Sequence, residues 1–255
     1  MRLSFHDKAP LSLAAFTGAL LALAALVLAA GAGFGSRWAW WHFGTGFGVL
    51  RWSVYVAMAA AVISLLGVIM SRPGSGRRGL MMALLGLLLS VPVIIVPWSW
   101  KDTAQSVPPI HDISTDVVNV PQFVAILPLR AGAPNSAQYG GPAIAAQQRS
   151  AYPDIQPVVV SGAPAMVFDA ALQSARALGW NIVAKDPGQG RIEATDTTFW
   201  FGFTDDVVIR ITPQGSGARL DVRSVSRVGR SDVGTNAARI RAFVKQFKQV
   251  IKQDA

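Results

Sequence analysis

Three apolar runs, residues 11–32, 53–70 and 79–97, contain no charged side chain. They constrain this chain more than any motif does. Each is about long enough to cross a hydrocarbon core of roughly 30 Å at about 1.5 Å per helical residue. A charge placed mid-membrane costs about 2.5–3.5 kcal/mol, so three charge-free runs within one hundred residues predict three spanning helices. A cleaved signal peptide competes for the first run, because Arg2 and Lys8 precede it and Ala30-Gly31-Ala32 resembles a cleavage site. That run exceeds the about 7–15 apolar residues of a signal sequence and two further spans follow, so an uncleaved anchor is expected.

The basic residues set an expected orientation. With the N-terminus inside, Arg2, Lys8, Arg72, Arg77 and Arg78 face the cytoplasm, and Arg37, Arg51 and Lys101 face out. An odd number of spans then places residues 101–255 in the periplasm, on the outer side of an inner (cytoplasmic) membrane. Trp38, Trp40, Trp41, Trp52, Trp98 and Trp100 fall near that outer interface, where indole rings partition well. The spans lack ionisable residues, so they read as an anchor in lipid rather than as a transport path.

Charge is distributed unevenly. Residues 1–100 carry one acid against seven Lys/Arg, while residues 101–255 carry thirteen acids and sixteen Lys/Arg. The net charge of +9 is therefore a weak argument for nucleic acid, and no such partner is expected. With no cysteine in the chain, disulfides and Cys-ligated zinc are excluded.

Beyond the membrane region (1–100), residues 101–160 are rich in proline and glycine and read as a linker with a tethering turn at 110–116. The stretch 131–151 is expected to be irregular. Residues 161–255 read as an α+β domain: a helix over 164–178, strands over 180–185, 191–199, 206–212 and 219–228, and a helix over about 232–252. The expected domain is a mostly antiparallel four-stranded sheet with both helices on one face.

Period-two alternation puts Arg219, Asp221, Arg223, Val225 and Arg227 on one side of the last strand, and Arg210 on the matching side of the strand before it. Arg210, Arg223 and Arg227 thus share a face, with Asp205, Asp206, Asp221 and Asp232 near enough in sequence to pair with them. Two readings stay open. Arginine forks suit phosphate or carboxylate ligands, and they equally suit an internal salt-bridge network. Asp205 and Asp206 invite an acid/base role, yet adjacent strand residues point to opposite faces. His111-Asp112 has the form of a base with its orienting carboxylate, without a nearby activated nucleophile. The single glutamate is Glu193, and no cluster suggests a metal or another cofactor. Arg241, Lys245, Lys248 and Lys252 form one basic stripe on the last helix, suited to solvent or to anionic headgroups.

Several segments resemble a known family: Pro108-Pro109-Ile110-His111-Asp112-Ile113-Ser114-Thr115-Asp116, Tyr152-Pro153-Asp154-Ile155, Gly179-Trp180 and Arg191-Ile192-Glu193-Ala194-Thr195. The most specific are Gly202-Phe203-Thr204-Asp205-Asp206 and the run from Arg223 through Ser231-Asp232-Val233-Gly234-Thr235-Asn236. Over residues 108–247 the chain resembles the domain of unknown function 1499, in its longer membrane-anchored bacterial form. That resemblance implies no activity, substrate or cofactor. The expected role is non-enzymatic: binding an anionic envelope component or a membrane-protein partner through residues 223–236, with Arg210, Arg223, Arg227, Arg230, Asp232 and Asn236 as candidate contacts. The alternative is a hydrolase or transferase acting on an anionic envelope substrate through Asp205, Asp206 and His111.

Overall fold

The computed structural model describes residues 9–253, so Arg2 and Lys8 of the orientation argument lie outside the described residues. The chain divides into two compact units. One comprises Met1–Lys101 with Phe199–Gly202, and the other comprises Asp102–Thr198 with Phe203–Ala255.

Helices α1 (Leu13–Arg37) and α2 (Phe43–Met70) of the first unit, and α3 (Leu80–Ser106), which lies in it as far as Lys101, are each long and apolar enough to cross a membrane. All three outrun the apolar stretches that predict them, because a charge ends an apolar run without ending a helix. α2 begins ten residues before the expected span and absorbs the glycines 44, 46 and 48. α3 runs through Pro92 and Pro97, with Ser90 Oγ donating to the Gly86 carbonyl at 2.7 Å.

Small residues build the seam. The buried stripe runs through Ala15, Gly18, Ala22, Ala25, Ala29 and Ala32 on α1, where Gly33 and Gly35 are buried beside it, and through Gly46, Leu50, Ser53, Ala57, Ala60, Ser64 and Gly67 on α2. Both alternate three- and four-residue steps, the spacing that keeps one stripe facing a partner helix. Without Cβ atoms the backbones approach closely: a Cβ on Gly18 would sit 2.4 Å from Ser64 Oγ, and one on Gly86 only 2.2 Å from the same oxygen.

The second unit holds a six-stranded antiparallel sheet, two strands more than expected. Its order is β1 (Asp112–Ser114), β6 (Gly217–Ser226), β5 (Thr204–Gln214), β4 (Arg191–Thr197), β3 (Asn181–Asp186), with β2 (Val158–Ser161) also paired to β6. The extra strand β1 and all but the last residue of β2 lie within residues 101–160, and so does helix α4 (Gly141–Ala151), inside the stretch expected to be irregular. Helices α5 (Pro164–Ala177) and α6 (Thr235–Gln253) match the sequence reading to within three residues at each end.

Alternation sorts the sheet's two faces. Ile192 and Ala194 of β4, Val207, Ile209 and Ile211 of β5, and Leu220 and Val222 of β6 pack with Phe168 and Leu172 of α5 and Ile240, Phe243 and Phe247 of α6. Trp180 stacks on Phe243, with ring centroids 5.2 Å apart. Both long helices of this unit therefore cover one face. On the opposite face Val208 and Val225 meet Phe123 and Ile126, which belong to a strap running from β1 to α4. Around them that face carries Arg191, Glu193, Asp206, Arg210, Arg219, Asp221 and Arg223, with Thr195, Thr204 and Thr212 among them.

Candidate functional site

The strap is fixed to the charged face by side chains bonding to backbone. Glu193 is fully buried, and its carboxylate accepts the N–H groups of Val124 (3.0 and 3.1 Å), Ala125 (3.1 Å) and Ile126 (2.9 Å). These donors open the 3-10 turn Leu127–Arg130, so Glu193 serves as a cap supplied from another element. Arg191 Nε also donates to Glu193, at 3.0 Å.

Arg223 anchors the middle. Its Nε and Nη2 form a fork with the Asp112 carboxylate at 2.9 and 2.8 Å. Nη1 donates to the Pro121 carbonyl at 3.1 Å, and Nη2 also donates to Ala137 at 2.7 Å. The rings of Phe123 and Tyr139 flank the guanidinium, with centroids 5.2 and 5.7 Å from its carbon. Further along, Arg130 from the strap and Arg227 from the sheet side both engage Asp206, the latter at 2.8 and 2.9 Å. Asn135 donates to the carbonyls of Ser226 (3.1 Å) and Gly229 (2.8 Å).

At the other end, Asp116 accepts the N–H groups of Val118 and Asn119 through Oδ1, and Arg210 (3.2 Å) and Arg219 (2.7 Å) through Oδ2. Burial pushes the Asp116 carboxyl up; the two backbone donors and both arginines outweigh it and hold its pKa below the ordinary aspartate value. Asp221 takes Arg210, Arg219 and the Thr115 hydroxyl.

Arg210, Arg223 and Arg227 therefore do share a face, and each is paired with carboxylate: Arg223 with Asp112, Arg227 with an Asp206 it shares with Arg130, and Arg210 with Asp116 and Asp221, both shared with Arg219. Arg223 is fully buried, so its guanidinium is committed to holding the strap. Asp205 and Asp206 point to opposite faces: Asp205 meets Arg239 of α6 at 2.7 Å on the helix side. His111 and Asp112 do not form a dyad, because both Asp112 oxygens face Arg223 while His111 Nδ1 lies 3.3 Å from the Arg230 carbonyl oxygen.

Asn236 is buried on the helix side. It accepts from Ser224 Oγ and Arg239 Nη1, both at 2.6 Å, and donates to Ser226 Oγ and the His111 carbonyl. Asp232 caps α6 through the N–H groups of Gly234 (2.9 Å) and Asn236 (2.7 Å), although the helix starts three residues later than expected. Burial raises the Asp232 pKa, an effect the two backbone donors only partly offset. Among the six candidate contacts of the 223–236 reading, Arg230 is the exposed one.

On α6, Arg241 forks onto Asp154 at 2.6 and 2.7 Å, which removes it from the basic stripe. Lys245, Lys248 and Lys252 are exposed and make no ion pair among the described residues. A cleft of about 170 Å³ is lined by residues including Asp116, Val118, Gln148, Arg149 and Pro157, smaller than the roughly 300–1,000 Å³ usual for a small-molecule pocket. Among the described residues no group of three or more His, Asp or Glu is placed to hold a metal.

Asp112, Asp116, Glu193, Asp206, Arg223 and Arg227 of this network lie in the segments that carry the resemblance. A family model described as a protein of unknown function, DUF1499, matches residues 112–247, more than half of the chain. The chain belongs to the DUF1499 family. Comparison with curated proteins gave no match. The DUF1499 match begins at Asp112, the partner of Arg223, and so takes in the strap as well as the sheet. Sequence reasoning missed Arg130, Gln148 and Arg239 as members of the network. Arg239 had a signal: it lies three residues after Asn236 and four before Phe243, on the buried stripe of α6.

Proposed function

We propose that this DUF1499 protein is an inner-membrane protein whose residues 101–255 lie in the periplasm and bind a membrane-protein partner without catalysis. The observation that carries the reading is the strap. Its backbone is pinned by Glu193 and Arg223 and its Arg130 side chain by Asp206, while Val118, Val124, Leu127 and Leu129 stand exposed on it, Val118 at 76%. Irregular chain held this firmly presents apolar side chains with little ordering cost on binding.

Residues 117–129 contain no charged side chain. That composition suits an apolar protein surface better than an anionic envelope component, which calls for exposed arginine. The basic loop containing Arg72, Arg77 and Arg78 supports the orientation. The hydrolase or transferase reading draws no support from carboxylates that are each committed to arginine or to backbone donors.

The test is site-specific photocrosslinking from Leu127 and Leu129 in native membranes. A discrete adduct with another membrane protein is expected, lost in Leu129→Asp and weakened in Arg223→Ala, where the strap is released. Adducts to lipid alone, to a second copy of the chain, or to nothing would overturn the reading. A reporter fused after residue 106 and active only in the cytoplasm would overturn the topology.

A further inference from the structure

Between β4 and β5 the chain reads Phe199-Trp200-Phe201-Gly202-Phe203. Tight connections between strands favour Gly, Asn, Asp, Ser and Pro, so consecutive aromatics here need another explanation. Phe199–Gly202 belongs to the helical unit, and its contacts there are specific. Arg37 Nη1 donates to the Phe199 carbonyl at 3.0 Å, Ser36 Oγ to the Phe201 carbonyl at 3.2 Å, and Trp200 Nε1 to the Ala30 carbonyl at 3.2 Å.

Glycines make room for the rings. A Cβ on Gly33 would lie 2.0 Å from Trp200 Cδ1, and one on Gly46 would lie 3.1 Å from Phe201 Cε1. Phe201 is buried, with its ring 4.9 Å from that of Phe47, whereas Phe199 remains 78% exposed with its ring 5.5 Å from Phe34. Phe34 also stacks on Trp38, and Trp100 lies 5.3 Å from Trp200.

These aromatics gather at one end of the helices: the C-terminal ends of α1 and α3 and the N-terminal end of α2. Trp38, Trp40 and Trp98 are exposed there. Rings at the end of spanning helices sit where headgroups meet acyl chains, and indole favours that zone. We infer that Phe199–Gly202 is a fourth membrane element, a short aromatic tip seated in the Gly33 and Gly46 notches with Phe199 inserted at the lipid interface. The occupant of the exposed surface is the boundary of the bilayer, because that surface is continuous with the lipid-facing helix ends.

The absence of cysteine makes the test clean. Full-length Phe199→Cys, labelled with an environment-sensitive fluorophore, is reconstituted into vesicles containing lipids spin-labelled either near the headgroup or deep in the acyl chain. Blue-shifted emission, quenched more by the shallow label than by the deep one, is expected. Water-like emission that neither label quenches would overturn the inference. Adding Gly33→Leu fills the notch and is expected to abolish the quenching. Trp200→Ser empties the notch without adding bulk to α1 and is expected to weaken it. Quenching unchanged in both variants would overturn the role of the notches.

Discussion

The guanidinium of Arg223 and the carboxylate of Asp112 meet fork to fork at 2.8–2.9 Å across 111 residues of sequence, with Arg223 fully removed from solvent. Replacing one partner of a buried pair strands the other charge, at a cost of about 3–5 kcal/mol. Arg223→Ala is therefore expected to destabilise strongly and to expose the strap. Arg223→Lys should lie between, since an ammonium keeps the charge and loses the fork. Changing both residues together, as Arg223→Met with Asp112→Leu, should restore much of the stability. The carbonyls of Pro121 and Ala137 stay unpaired in that variant, so the strap should remain loose. Hydrogen exchange at the amides of Val124 and Ile126 reads the strap separately from global unfolding. Equal protection in all four proteins would mean that Arg223 does not hold it.

The difference between Arg223 and Asp112 also marks what can be read from sequence. Alternation along β5 and β6 placed Arg210, Arg223 and Arg227 on one face and separated Asp205 from Asp206, because a strand's period is fixed by its backbone. The 3.6-residue period gave α5 and α6 for the same reason. The strap, β1, β2 and α4 have no period to show. They are short and are held by bonds such as Glu193 to Val124 or Gln148 to Ser114, whose partners lie 69 and 34 residues apart. Long-range pairing of side chain with backbone leaves no local trace, and so Asp112 and Arg130 could not be matched to their partners from sequence.

Gln148 illustrates the point and yields a second prediction. It is 1% exposed, and its amide donates to the Ser114 carbonyl at 2.7 Å while accepting the Ser114 N–H at 3.0 Å. The side chain thus takes the place of a neighbouring strand beside β1. Gln148→Ala leaves two buried backbone groups unpaired, each costing about 1–3 kcal/mol. Gln148→Met, of similar volume, should destabilise almost as much if the bonds rather than the packing matter. Unfolding midpoints in urea would compare the three proteins, and a Met variant close to the parent would sink the hydrogen-bond account.

Tyr139 stacks near Arg223 and its buried hydroxyl has no hydrogen-bond partner among the described residues. Burial, and then the nearby Asp112 carboxylate, push its pKa up to about 12 from an ordinary value of 10.0. The unfolded chain therefore loses this proton first. The linked stability is complete below pH 10.0 and is lost as pH rises towards about 12. Tyr139→Phe keeps the ring beside the guanidinium and removes an unpartnered hydroxyl. It should cost less than about 1 kcal/mol at neutral pH. The difference in phenolate absorbance between the two proteins should show one group titrating near 12, and a difference titrating near 10 would overturn the assignment.

Asp116 and Asp232 shift in opposite directions, so they act on stability in acid with opposite signs. Asp116, held below the ordinary 3.8 by two backbone donors and by Arg219 and Arg210 against the effect of burial, stabilises the fold fully above 3.8. That contribution is lost as pH falls through its folded pKa. Asp232, raised chiefly by burial, binds its proton more tightly in the folded chain than in the unfolded one. Its ionisation therefore weakens the fold as pH rises through the window above 3.8, and acidification recovers that loss. The stability difference between the parent and Asp116→Asn should then be constant above pH 3.8 and shrink below it. The difference for Asp232→Ala should grow as pH falls through the window above 3.8, where the protonated carboxyl fits its buried site better. Urea midpoints measured for the full-length protein in detergent across this range check both signs. If Asp116→Asn instead narrowed its difference between neutral pH and 3.8, the arginines would not be holding that carboxylate in its ionised form.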